Sequence, residues 1–147
     1  MKTGISILLL TIALIFTSCS TTKKVADTPL YGTLWELEYL SGPRIAFQGL
    51  YPDRKPQITF MEETGRVQGT SSCNGYSAPF TVKGKEISFG EPGPTTLMFC
   101  GQGEKFFLNT IKKIDAYKID EDGKLVLLMD GVAMMRFKAM KTEGQSN

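Results

Sequence analysis

The chain has no histidine and a single tryptophan, Trp35. Without histidine, the commonest general base is missing, and so is a frequent metal ligand. No G-x-S-x-G elbow surrounds Ser71 and Ser72, so a serine nucleophile of that kind is excluded. Glu62 and Glu63 are adjacent. On a strand they point to opposite faces, and in a turn both are solvated. The acidic tip Asp120-Glu121-Asp122 lacks the alternating ligands and placed glycine of a calcium loop. Cysteine is scarce, at three residues, and no C-x-x-C occurs. A soft-metal site of Cys73, Cys100 and Met98 would stand without either support, and methionine is good core filler. The composition argues against an enzyme, and no cofactor or metal is expected. The formal net charge is only +2, from 17 basic and 15 acidic residues. No basic patch with interleaved aromatics is present, which removes the argument for nucleic acid. There is no internal repeat and no low-complexity tract.

What is present begins with an address. Lys2 precedes an apolar stretch from Ile5 to Phe16. That run is short of the roughly 20 residues a membrane-spanning helix needs, and it suits the apolar core of a signal peptide. Phe16-Thr17-Ser18-Cys19 then resembles a bacterial lipobox, in which the cysteine thiol is acylated and the chain is cut just before it. An uncleaved anchor is the alternative, but no basic stop-transfer cluster sits at the boundary. Loss of residues 1–18 leaves 129 residues, enough for one domain with a real core. Residues 19–29 read as a polar tether, residues 30–140 as the domain, and residues 141–147 as a disordered tail. Ser20 carries no acidic retention signal, so the expected location is the outer membrane, with the protein held by lipid on Cys19 and monomeric.

The body reads as antiparallel strands. Trp35, Leu37 and Tyr39 alternate with Glu36 and Glu38, the period of a strand with one wet face. Gln57 to Met61 and Arg66 to Thr70 flank the turn Glu62 to Gly65. Tyr76 to Val82 and Glu86 to Phe89 flank Lys83-Gly84-Lys85. Tyr117 to Asp120 and Lys124 to Met129 flank a segment ending in Asp122-Gly123, a favoured hairpin turn. Val132 to Lys138 follows Asp130-Gly131. Only Gly103 to Ile114 has helical periodicity, through Phe107, Ile111 and Ile114. The expected fold is mainly β: a curved, barrel-like antiparallel sheet with one α-helix, closed so that edges are not left bare.

Three local features stay open to two readings. If Cys19 carries lipid, Cys73 and Cys100 remain and can pair in an exported domain. Two separate buried thiols are the alternative. The loop from Ser41 to Pro56 is rich in Pro and Gly yet carries Ile45, Phe47, Leu50 and Tyr51. It either lids the barrel or offers Phe47, Leu50 and Tyr51 as anchors inside a rim of Arg44, Arg54 and Lys55. Trp35 is most simply core, with an indole N–H that needs a partner; lining a ligand pocket is the other reading. Asn74-Gly75 either forms a tight type I′ turn or lets Asn74 bond the neighbouring backbone.

Taken in order, several blocks add up to a pattern. Leu30, Gly32, Thr33, Trp35, Leu37, Leu40 and Gly42 form the first block. Gly69, Cys73, Asn74 and Tyr76 form the second, and Thr96, Met98 and Cys100 the third. Glu104, Phe107 and Ile111 follow, then Tyr117, Ile119, Leu125 and Leu127. This resembles the META domain of HslJ-like bacterial envelope lipoproteins, over roughly Leu30 to Lys138. Ser72 stands where the pattern has glycine, Ala78 and Phe80 replace a glycine and a tyrosine, Leu97 replaces a common arginine and Phe99 a common alanine. The resemblance implies a small barrel-like envelope domain associated with stress response or envelope maintenance. The leading expectation is a non-enzymatic protein that binds another envelope component. A cracked barrel that holds an acyl chain is the alternative. A hydrolase would need a buried Ser or Cys beside a perturbed Lys or Glu.

Overall fold

The computed structural model describes residues 29–93 and 98–141. The segment expected to be a signal peptide, Cys19, all but Pro29 of the expected tether, Thr96 and nearly all of the expected tail lie outside the described residues. Eight strands follow one another in sequence and in space: β1 (Trp35–Leu40), β2 (Gln57–Met61), β3 (Arg66–Thr70), β4 (Gly75–Lys83), β5 (Glu86–Phe89), β6 (Ala116–Ile119), β7 (Leu125–Met129) and β8 (Val132–Ala139). Each pairs antiparallel with the next, and β8 pairs with β1, so the sheet is a closed barrel. Closure leaves no free strand edge to template association. Two helices interrupt the meander: α1 (Phe47–Leu50) between β1 and β2, and α2 (Gly101–Ile111) between β5 and β6. The sequence led us to expect one helix. The first is a single turn inside the loop from Ser41 to Pro56, too short to show a period.

The interior is filled by alternate residues of every wall. Trp35, Leu37, Ile58, Phe60, Val67, Leu125, Leu127, Met135 and Phe137 are sealed from solvent. The Trp35 indole N–H donates to the Leu30 carbonyl at 3.1 Å, which satisfies the polar end of a core residue. Phe60 meets Phe80 edge to face at 5.1 Å. In β1 the simple alternation fails. Leu37 pairs with Phe137 and Tyr39 with Arg136, so Glu38 is an extra residue in a bulge. The inward phase then shifts by one: Leu40 is buried and Tyr39 stays exposed, under the Arg136 guanidinium.

The connections with helices leave short seams. β1 and β2 pair through Trp35–Ile58 and Glu36–Gln57, extended by a Leu37 N–H bond to the Pro56 carbonyl. β5 and β6 pair through Glu86–Ala116, flanked by two further backbone bonds. The two helices pack on each other at the end of the barrel where β2 and β4 begin and β3 ends. The chain arrives at the other end, where Tyr31 bridges Phe60 and the Gly32 N–H donates to its carbonyl. On the outside of β1, Glu38 receives Lys124 and Arg136, each at 2.8 Å. Glu36 receives Gln57 at 2.8 Å and Lys138 at 3.1 Å, with Lys55 at 3.9 Å.

Two predictions follow from the wall. Gly69 lies opposite Ile58, and a Cβ there would overlap the Gln57 carbonyl. Gly69→Ala should cost about 3 kcal/mol in denaturant unfolding, the upper end of overpacking penalties, because the obstacle is backbone and cannot turn aside. For Glu36, partial desolvation pushes the carboxyl up. Hydrogen bonds from Gln57 and Lys138 and the charges of Lys138 and Lys55 outweigh it, so the net position is below the ordinary glutamate range. A carboxylate held lower when folded stabilises above its unfolded value and loses that contribution as pH falls through the folded one. The stability gap between wild type and Glu36→Gln should therefore close on acidification, read by thermal melts at stepped pH.

Candidate functional site at the helical end

The four-residue turn between β3 and β4 is the centre of this end. Ser71, Ser72 and Asn74 are all buried there. The Ser71 N–H donates to the Asn74 carbonyl at 3.0 Å and closes the turn. Asn74 is thus the last residue of a longer connection, not the first of a two-residue type I′ turn. Its side chain reaches across to the segment before α2. Nδ2 donates to the Met98 carbonyl at 2.7 Å and to Glu104 Oε2 at 3.0 Å, while Oδ1 accepts the Met98 N–H at 2.9 Å. The Ser71 hydroxyl donates to the other Glu104 oxygen, Oε1. Asn74 thereby mimics a strand neighbour for Met98, and Glu104 in the first turn of α2 ties the helix N-terminus to the same turn.

The Cys73–Cys100 disulfide covers this network, with Cα atoms 5.5 Å apart. It joins the turn to the residue immediately before α2. The chain-entropy model gives about 3.6 kcal/mol for a loop of this length. Ser72 has φ +150°, a backbone region comfortable only for glycine and costing on the order of 1–3 kcal/mol otherwise. The hydroxyl that glycine would lack donates to the Arg54 carbonyl at 3.1 Å, so the turn also holds the loop before β2.

That loop does not present the anchors expected of it. Leu50 and Tyr51 are buried against α2. The Tyr51 hydroxyl donates to the Gly103 carbonyl at 2.7 Å, and burial pushes its pKa well up. Gly103 has no room for a Cβ, which would collide with the Leu50 carbonyl and the Tyr51 ring. Phe47 is half-buried with its ring centroid 5.1 Å from that of Tyr51. These residues lid the barrel because the space above Tyr76 and Phe107, packed edge to face at 5.5 Å, must be closed. Arg44, Ile45 and Arg54 remain exposed.

The exposed apolar surface lies instead on the neighbouring segment. Phe99 is 94% exposed and Met98 59%. Both sit between the Asn74 clamp and the disulfide, so the backbone that displays them is fixed. The structure thus gathers Arg54, Cys73, Asn74, Met98 and Cys100 at one end, with Arg44 on the same loop. It sends Trp35, Gly69 and Tyr76 to the wall and core. Sequence reasoning missed Phe99 as surface and Glu104 as a clamp. The one visible signal was a phenylalanine where the resembled pattern has alanine. Among the described residues no cluster of three metal-ligating side chains occurs.

An eight-stranded closed meander capped by two helices, with an asparagine clamp and a disulfide across the cap, is a small mainly-β barrel domain. Residues 28–141 match the META domain family model, and the chain belongs to that family. A solved NMR structure of a protein from Burkholderia xenovorans is similar, with 26% identity and a TM-score of 0.56, covering 77% of this chain and 85% of that one. No curated protein matches the chain.

The clamp makes a sharp forecast. Asn74→Ala leaves the Met98 N–H and carbonyl and one Glu104 oxygen without their partner. It should cost about 2–4 kcal/mol, more than one lost hydrogen bond, since buried groups left unpaired incur their full desolvation penalty. Hydrogen exchange should show the loss concentrated at residues 98–104, with the strands still protected.

Proposed function

We propose that this chain is a non-enzymatic envelope protein, held at a bilayer by lipid on Cys19, whose helical end binds another envelope component in stress response or envelope maintenance. The observation that carries this reading is Phe99, fully presented on a segment fixed by Asn74 and the disulfide. A rigid aromatic anchor loses little entropy on binding, and exposed Arg44 and Arg54 supply a polar rim on the same end. The chain reaches the barrel at the far end, so a tether there leaves the helical end pointing away from the bilayer.

Two observations support this reading over its rivals. An interior acyl site would need space along the barrel axis, and that axis is occupied by Trp35, Phe60, Phe107 and Phe137. Three clefts, at Thr81 and Ala116, at Leu50 and Cys100, and at Glu36 and Thr70, open to solvent, and none is lined by those four residues. The hydrolase reading would draw on Ser71 beside Glu104, but Ser71 is 1% exposed and its hydroxyl is held by Glu104. None of these clefts is lined by Ser71.

The expected results are specific. Cys19→Ala should abolish radiolabelled-palmitate incorporation and accumulate a larger precursor; persistent labelling refutes the anchor. A photo-crosslinker at Gln102 of the lipidated protein should give one discrete adduct in cells, and Phe99→Ser should remove it with no change in melting temperature. An adduct indifferent to Phe99→Ser refutes the binding face.

A further inference from the structure

The disulfide across the cap is neither sealed in nor the only tie at that end. Cys73 and Cys100 are half-buried. With Pro52, Arg54, Phe99 and Gln102 they line a cleft of about 490 Å³ that opens to solvent, so a thiolate can reach sulfur without unfolding the chain. Beside the disulfide run bonds that involve no sulfur. Asn74 holds both the N–H and the carbonyl of Met98. Ser71 and Asn74 hold Glu104 in the first turn of α2, and the Tyr51 hydroxyl holds the Gly103 carbonyl. The cap therefore keeps its fastening when the sulfur–sulfur bond opens. The two sulfurs also differ. Cys100 immediately precedes α2, a helix of 11 residues whose N-terminus no side chain caps, and the N–H groups of a first turn favour a thiolate. Cys73 belongs to the β3–β4 turn and caps no helix. The remaining charges give Cys73 no comparable advantage: Asp53 and Arg54 share the cleft wall, and the Glu104 carboxylate, which opposes a thiolate, is turned to Ser71 and Asn74.

We infer that the Cys73–Cys100 disulfide is a thiol–disulfide exchange site, open in the folded state to a protein dithiol. One thiolate of the dithiol attacks Cys73 Sγ. The bond to Cys100 breaks and its electron pair leaves on Cys100 Sγ, since the sulfur of lower pKa leaves faster. The second thiolate of the dithiol then attacks its own neighbour in the mixed disulfide, and Cys73 leaves. Two electrons pass to this chain, the partner closes its own disulfide, and the two protons its thiols gave up end on Cys73 and Cys100. The reduced chain keeps barrel and cap. Phe99 keeps its fixed point at Met98 and loses the one at Cys100, so the display of the ring follows the redox state of the pair.

The test uses residues 19–147 with Cys19→Ser, which contain the closed barrel and both helices and leave only these two cysteines. Dithiothreitol in native buffer should reduce the disulfide within about 100-fold of its rate in denaturant, whereas a disulfide reached only by unfolding would be slower by about 10³-fold or more, as the unfolded fraction dictates. The native rate should also stay flat as denaturant is added below the unfolding transition. The reduced chain should melt at a lower temperature yet keep its strand content by circular dichroism and its hydrogen-exchange protection in α2. With glutathione as the probe, acid quenching and peptide mapping should place the mixed disulfide on Cys73 and leave Cys100 open to alkylation. A native rate below that range, or one that climbs with denaturant, overturns the inference. So does loss of α2 protection on reduction, or an adduct mainly on Cys100. Phe99→Ser should leave the dithiothreitol rate unchanged, so the outcome is independent of whether the face binds an envelope partner and of whether Cys19 carries lipid.

Discussion

The side chain of Asn74 joins three parts of the chain that lie far apart in sequence: the β3–β4 turn, the backbone at Met98 and the first turn of α2. Most of the helical end depends on that junction. A barrel closed by eight short strands has an open end that must be covered, and a helix laid across it brings unsatisfied N–H groups at its N-terminus. Here Glu104, an acid in the first turn of α2 where the helix dipole favours one, is held by Ser71 and Asn74 and so fastens that helix end to the β3–β4 turn. Each buried polar group in this cluster has a partner, and among the described residues no buried side-chain nitrogen or oxygen lacks one. A fully satisfied buried network rigidifies its surroundings, and a half-satisfied one is worse than an apolar core. The disulfide acts on the same segment by a different route, limiting the unfolded chain.

The wall shows why the helices had to be fastened this way. The strand pairs joined by tight turns have full ladders, as β2 with β3 and β3 with β4 do. The pairs that enclose α1 and α2 have only short ones. Long connections carry a greater closure cost than two- to four-residue turns, and the ladder beneath them offers little in return. The missing stabilisation comes from side chains. Leu50 and Tyr51 pack α1 onto α2 at Gly103, and Phe107 packs α2 onto Tyr76. The cap is therefore fastened to the barrel by side chains where the backbone ladders are short.

How far this was legible in the sequence follows from the range of each signal. The strands were readable because alternation and turn chemistry are local, and Asp122-Gly123 or Asp130-Gly131 set a hairpin within a few residues. The helix was readable through Phe107 and Ile111, which are in fact its buried face. The β1 bulge was not, since one extra residue at Glu38 inverts the alternation while leaving Tyr39 in the place an inward residue would hold. The loop from Ser41 to Pro56 was legible as apolar but not as lid or anchor. That choice is made by α2, which lies some 50 residues on, where Gly103 leaves room for the Tyr51 ring. The Asn74–Glu104 contact spans 30 residues with no periodic signature. Side-chain polar networks of that span are set by the closed fold, not by local sequence.

A fully exposed phenylalanine gains little free energy in the free protein: its ring is left in water, and roughly 25 cal/mol per Å² of possible burial is forgone. On a flexible loop such a ring would fold back onto the nearest apolar wall. Phe99 stands between two fixed points one residue away on either side: Met98, whose N–H and carbonyl are both held by Asn74, and Cys100, held by the disulfide. The backbone at Phe99 therefore has little freedom, and the ring stands at the edge of the open cleft it lines with Cys73 and Cys100. The same ties that stabilise the cap leave Phe99 standing out, and they have met in advance much of the ordering cost that association would otherwise incur. Stability of the cap and readiness of the face are in this way two consequences of one arrangement, set by Asn74 and the two cysteines.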